Sequence, residues 1–306
     1  MDDRMSNEAI KIKDLVKYYD GRLILDDINL EVPRGCVYGL LGRNGVGKTT
    51  LIRILLGLES PTRGQTHLLG CDSLRLSAEI HGRIGYVAEG HNLIQHYRVG
   101  KLIGLCKSLS AKWDQGFLDH LLETFRLPMD RKIKQLSAGM RAQLNLAMAM
   151  AIDPELMILD DPTLGLDTVA RRQFLELAID LLQQDGRTIL FSSHILSDVE
   201  RIADRIGIFA AGKLVVDCTL EELKSRITKL RLIFAEEPPA SLHLTDVINQ
   251  QRQGRELVIT IANLNKQKQA IIETFKPSSC TEIPMSLEDI FIECTDVQPL
   301  SIVNQE

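Results

Sequence analysis

Residues 36–58 leave this chain few folds to choose from. Cys36-Val-Tyr-Gly-Leu-Leu41 is apolar enough to be buried on both faces, as a strand inside a parallel sheet is. It runs directly into Gly42-Arg43-Asn44-Gly45-Val46-Gly47-Lys48-Thr49, and beyond Thr49 the apolar residues at 51, 52, 54, 55 and 58 have helical spacing. Strand, glycine turn and helix in that order, carrying G-x-x-x-x-G-K-[ST], form a phosphate-binding unit. Gly42, Gly45 and Gly47 let backbone N–H groups curl around phosphate oxygens, Lys48 brings positive charge to the outer phosphates, and the Thr49 hydroxyl is a ligand for Mg²⁺. Asn44 and Thr50 belong to the same stretch, where the start of the helix adds its own positive potential.

The rest of the chain reads as α/β. Runs at 10–12, 23–25 and 28–32 look like strands, and so do 156–159, 188–191 and 206–209. The later three are separated by helical stretches at 169–184 and 197–203, which indicates a parallel sheet. Residues 94–151 are mostly helical in pattern, with a break at Leu127-Pro128-Met129-Asp130. Met148, Met150 and the alanines between them read as helix packing. Thr219-Leu-Glu-Glu222 has the form of a capping box, and fresh strand candidates follow at 230–234 and 257–261. A chain of 306 residues is long enough for one large domain and an appendage. The boundary falls near residue 225, dividing 1–224 from 225–306.

A second chemical signal stands at residues 156–167, where an apolar strand stops at two carboxylates, Asp160 and Asp161. About a hundred residues after a phosphate loop, this is where a nucleotide hydrolase holds its Mg²⁺. Asp160 is the metal-side acid. Asp161 points toward the terminal phosphate, to orient or deprotonate the attacking water. The net charge of −5 argues against a protein that neutralises nucleic-acid phosphates with a dominant basic face. The six cysteines, at 36, 71, 106, 218, 280 and 294, form no C-x-x-C pair and suggest neither a zinc site nor a disulfide framework. The acidic stretch at 1–10 lacks the apolar core of a secretory signal, and no apolar run approaches the length needed to span a bilayer.

Leu136-Ser137-Ala138-Gly139-Met140 resembles the LSGGQ signature of ABC-type ATPases, and the other elements of that family follow in order over residues 10–220. The resemblance implies a P-loop ABC ATPase core of α/β class, with a mostly parallel sheet, an antiparallel β subdomain and a helical subdomain at about 93–150. A small C-terminal α+β domain completes it. By the same resemblance Tyr19 stacks on adenine, and Glu89 stands in the Q-loop position with catalytic and metal-binding roles. Leu166-Asp167 match the D-loop, and His194 is the switch histidine that senses phosphate. Ser137 and Gly139 close on nucleotide held by another copy. The implied cofactors are ATP and Mg²⁺. The implied partners are a second ATPase subunit and an integral membrane permease subunit, with no nucleic acid. The implied location is the cytoplasmic face of the cell membrane, with docking near residues 89–115.

Four residues depart from the usual family pattern. Asp161 stands where glutamate is usual, Glu89 where glutamine is usual, and Ala138 and Met140 replace Gly and Gln. Aspartate is one methylene shorter, and a misplacement of about 1 Å costs on the order of 100-fold in rate. The favoured reading is a slow but real ATPase, and the alternative is a regulatory subunit paired with a more active one. A soluble ABC protein acting on the ribosome or DNA is the rival outside transport. Residues 111–119, with Trp113-Asp114, and residues 285–293 resemble ATPase subunits of ABC-2 type exporters.

Overall fold

The computed structural model describes residues 7–183, 186–238, 247–262 and 268–296. The first six residues, weighed above for a leader, and Gln184 at the end of the expected 169–184 helix lie outside the described residues.

Two long strands open the chain, β1 (Glu8–Tyr19) and β2 (Arg22–Pro33), followed by β3 (Val37–Gly42) and the helix α1 (Lys48–Leu55). β4 (Arg63–Leu68), β5 (Cys71–Asp72), the short α2 (Ala78–His81) and β6 (Ile84–Val87) come next. The expected helical region contains α3 (Val99–Leu109), α4 (Gln115–Thr124) and α5 (Ala138–Met150). Then strands and helices alternate: β7 (Leu156–Asp160), α6 (Thr168–Gln183), β8 (Thr188–Ser193), α7 (Leu196–Ile202), β9 (Arg205–Ala210) and β10 (Lys213–Thr219). The C-terminal part holds α8 (Leu220–Arg226), β11 (Ile227–Ile233), β12 (Val247–Gln253), β13 (Glu256–Ala262), α9 (Lys268–Phe275), β14 (Ser279–Ile283) and α10 (Leu287–Asp296).

The central sheet has six strands in the order β10-β9-β3-β8-β7-β6, parallel except for the β9–β10 hairpin. Every residue of β3, β7 and β8 is buried, because both faces of a parallel sheet are covered. Successive side chains divide between two cores. Tyr38, Leu40, Leu156, Ile158 and Leu190 pack toward α1 and the antiparallel sheet β2-β1-β4-β5. Val37, Leu41, Met157, Leu159, Ile189 and Phe191 pack toward the helical side. Each such buried aliphatic side chain contributes about 1.5–3 kcal/mol. Met148 and Met150 lie in that second core, as packing residues. Trp113 packs at its margin, with its indole N–H donating to Gln115 Oε1 at 3.1 Å.

A four-stranded antiparallel sheet, β12-β13-β11-β14, begins at Ile227 and has its own apolar cluster. This region also packs against the central sheet. α10 packs on α7 and β9, and its Leu287, Ile290, Phe291 and Cys294 join the core beneath the central sheet. The buried Glu293 is satisfied there by Lys229 Nζ at 3.0 Å and Asn249 Nδ2 at 2.6 Å. The capping box that opens α8 is formed as expected, with Thr219 and Glu222 satisfying each other's backbone N–H.

Candidate functional site

The topology brings the singled-out residues to one end of the central sheet. Along the order β3-β8-β7-β6, the carboxyl ends deliver the glycine loop, His194, the Asp160–Asp161 pair and Glu89, side by side. In open α/β sheets this edge is where ligands bind.

The loop itself is built for a group with many acceptors. Gly47 has φ +113°, a backbone conformation that strains any residue with a Cβ, and an added Cβ there would also press on Leu25 Cδ2 at 2.8 Å. Gly47 is also the N-cap of α1 and no side chain caps that helix, so its first N–H groups face the loop unclaimed. Lys48 is buried, and its Nζ donates to the Gly42 carbonyl at 2.6 Å, holding the ammonium over the loop. Burial lowers its pKa, while the charges of Asp161, Asp160 and Glu89 act to raise it.

A cleft of about 280 Å³ opens here, lined by Tyr19, Ile24, Asn44, Gly45, Gly47, Lys48, Thr49, Thr50, Glu89 and Asp161. All but Ile24 are residues the sequence singled out. A larger cleft of about 780 Å³ lies at the opposite, amino ends of the strands. Its Arg83, Lys112 and Arg187 are paired with Glu155 and Asp153, and it holds none of the site residues.

Behind the cleft, Asp160 and Asp161 have different environments. Asp160 is buried, and its Oδ1 accepts from Ser192 Oγ at 2.8 Å. Its Oδ2 is buried without a hydrogen-bond partner among the described residues. Burial pushes this carboxyl above the ordinary aspartate range, against the lowering effect of the Ser192 and Thr49 hydroxyls. Asp161 has φ +44°, and its backbone N–H donates to Ser192 Oγ at 3.0 Å. Its carboxylate reaches the cleft and meets His194 Nδ1 at 2.8 Å. The two carboxylates thus stand on adjacent residues of a backbone that turns sharply between them. Glu89 Oε2 is 3.5 Å from the Thr49 hydroxyl. Tyr19 stands at the rim, its phenol donating to Glu59 and its ring centroid 4.7 Å from Lys17 Nζ.

Ser137, Gly139 and Asp167 are not part of this cleft. Ser137 Oγ accepts from Met140 N at 3.1 Å and caps α5. Asp167 Oδ1 accepts from Val169 N and Ala170 N at the start of α6. A Cβ on Gly139 would lie 3.1 Å from Ala170 Cβ, so the two helix starts adjoin on a separate face.

Three contributors were not read from the sequence. Ser192 links both aspartates, and the polar Ser192-Ser193 pair ending an apolar strand is the signal that could have found it. Asp198, almost fully buried, accepts from Arg171 Nε and Nη2 at 2.6–3.0 Å and from Thr163 Oγ1 at 3.2 Å. His91, also buried, donates to the Pro162 carbonyl. Neither of these last two had a sequence signal beyond a polar residue in a helix or loop.

Fold and site together define a phosphate-loop nucleotide-binding protein. The chain belongs to the ABC transporter family, whose sequence profile matches residues 25–164, and it is an ATP-binding subunit of that family. It is 36% identical over 222 residues to the bacitracin transport ATP-binding protein BcrA of Bacillus licheniformis, covering 72% of each chain. It is 29% identical over 283 residues to the ABC transporter ATP-binding protein YtrB of Bacillus subtilis, covering 92% of this chain and 97% of that one. Among solved structures, the ATP-binding subunit of an ABC transporter matches with a TM-score of 0.64 at 28% identity, over 71% of this chain and 92% of the other. A dimeric ATP-binding cassette bound to ADP and Pi shares the fold, with a TM-score of 0.61 at 24% identity over 69% and 98%.

Proposed function

We propose that this chain is the ATP-hydrolysing subunit of an ABC exporter, closing as a dimer around ATP and opening after hydrolysis. The observation that carries the reading is the Asp161 carboxylate, which lines the phosphate-loop cleft while hydrogen-bonded to His194. The loop N–H groups, with Asn44 and Thr50 in the same stretch, bind the outer phosphates, Lys48 takes up their charge, and Tyr19 stacks on the base. The Asp161 carboxylate orients a water in line with the γ-phosphate and accepts its proton at an Oδ atom. His194 Nδ1 holds that carboxylate in place.

The free Oδ2 of Asp160, close to the Thr49 hydroxyl, suits a divalent cation. Among the described residues no three His, Cys, Asp or Glu side chains converge to hold a metal by themselves. Thr49, Asp160 and Glu89 would therefore hold Mg²⁺ together with phosphate oxygens and water. Such an ion neutralises charge on the β- and γ-phosphates.

Ser137, Gly139 and Asp167 form a face apart from the chain's own cleft. We assign that face to a second ATPase subunit, whose nucleotide it covers with the start of α5. The region of residues 89–115 docks on an integral membrane permease at the cytoplasmic side. No described helix is long and apolar enough to cross a membrane. Residues 1–224 form the ATPase domain, and 225–306 an accessory domain. The shorter acid at 161 makes turnover slow. An Asp161→Asn variant given Mg-ATP should accumulate as an ATP-bound dimer in light scattering. A variant that stays monomeric at saturating ATP contradicts ATP-driven closure.

A further inference from the structure

His91 lies two residues beyond Glu89, at the end of a single 3₁₀ turn, and the hydrolytic scheme makes no use of it. Its ring is buried, with 4% of the residue exposed, and Nε2 is 2.8 Å from the Pro162 carbonyl. A carbonyl can only accept, so Nε2 carries the proton. Nδ1 has no hydrogen-bond partner among the described residues. Burial lowers the pKa of the ring, which keeps it in this neutral tautomer. The Phe174 ring of α6 packs beside it, centroids 6.5 Å apart and planes 53° apart.

Pro162 directly follows Asp161 and is itself buried. Asp161 and His91, on the two sides of this hydrogen bond, both have positive φ, +44° and +49°, a conformation uncommon for residues with a Cβ. Such backbone persists only where its surroundings hold it. Besides the local turn bond from Leu164 N–H to the Asp161 carbonyl at 3.0 Å, Asp161 is held by its N–H on Ser192, its carboxylate on His194, and the following carbonyl on His91. The first two belong to β8 and the segment after it. Only the third ties the acid to the turn that carries Glu89.

We propose that His91 is a positioning residue for ATP hydrolysis: its Nε2–H grips the Pro162 carbonyl and thereby sets where the Asp161 carboxylate sits. The inference rests on the assignment of Asp161 as the water-side acid. Without the donor, the buried carbonyl must find another partner, and the peptide next to Asp161 shifts. His91 does not line the phosphate-loop cleft, so ATP affinity is spared.

The test compares His91→Leu, His91→Gln and His91→Asn in the full chain, with Asp161→Asn alongside. Steady-state kcat is measured together with the dissociation constant of a fluorescent ATP analogue. A Gln amide reaches the position of Nε2, whereas an Asn amide reaches only that of Nδ1. His91→Leu and His91→Asn should lose about 10- to 100-fold in kcat, the scale of a misplaced catalytic group, with nucleotide affinity unchanged. His91→Gln should recover most of the rate. If Leu at 91 prevents folding, the Gln–Asn pair decides. Equal rates in those two, whether fast or slow, overturn the proposal, as does a loss of affinity that accounts for the loss of rate. With an active parent and a dead Asp161→Asn, a fast His91→Asn overturns this inference alone. An inactive parent, or an Asp161→Asn variant as fast as the parent, overturns the hydrolytic reading and this inference together.

Discussion

The ion pair between Arg171 and Asp198 should show a marked asymmetry when its two halves are removed separately. Asp198 keeps only 3% of its side chain exposed, whereas Arg171 keeps 27%. Replacing Arg171 with Ala leaves a buried carboxylate whose remaining side-chain partner among the described residues is the Thr163 hydroxyl, at 3.2 Å. Breaking a buried pair in this way costs about 3–5 kcal/mol. At roughly 2–4 °C per kcal/mol for a large domain, the thermal midpoint should fall by about 6–20 °C. Asp198→Asn keeps an acceptor for Thr163, and the freed guanidinium can turn to water, so its cost should be about 1–2 kcal/mol. The double variant should be more stable than Arg171→Ala alone, because no charge is stranded. Thermal unfolding of the three variants, without nucleotide and at one pH, measures this. An Asp198→Asn variant as damaged as Arg171→Ala, or a double variant with additive losses, would refute the reasoning.

Two further outcomes follow from the cleft. Lys48→Ala should lose tight ATP binding by on the order of 100-fold or more in equilibrium titration, since a desolvated charge-assisted contact to phosphate is removed; unchanged affinity sinks the phosphate-loop assignment. Asp160→Asn should abolish hydrolysis yet raise the stability of the nucleotide-free chain by on the order of 1 kcal/mol, because the charge of a buried carboxylate is removed. The sign with pH follows from a folded-state pKa raised by burial. Asp160 is neutral in both states below about pH 4, the ordinary aspartate value. As pH rises through the raised value, the parent bears the cost of the buried charge and the variant does not. The advantage of Asp160→Asn in denaturant titrations should therefore vanish in acid and grow toward neutrality.

The parts of this protein legible in its sequence are those where one local rule acts alone. The runs at 36–41 and 156–159 are apolar without alternation because both faces of their strands are buried, and both are central strands in the structure. The glycine loop is legible because the positive φ at Gly47 strains any residue with a Cβ. β6 was not read, although it carries the turn to Glu89, because four residues are too few to show a period. β12 was missed because Gln250, Gln251, Arg252 and Gln253 face outward on an edge strand and dilute its apolar signal. The docking of α10 on α7 and β9 depends on a surface assembled from distant segments, which no local pattern reports. The same holds within the site. Asp160, Asp161 and His194 were legible as types at strand ends, but the hydrogen bonds that tie them to Ser192 and to one another arise only when β7 and β8 lie side by side.

The central claim is that Asp161, short as it is, serves as the water-side acid of a dimer. The most direct test is steady-state Mg-ATP hydrolysis across a range of concentrations of the purified chain, with Asp161→Asn in parallel. The account predicts a slow rate per subunit that rises with concentration and disappears in the variant while ATP binding persists. Equal turnover in parent and variant would contradict it.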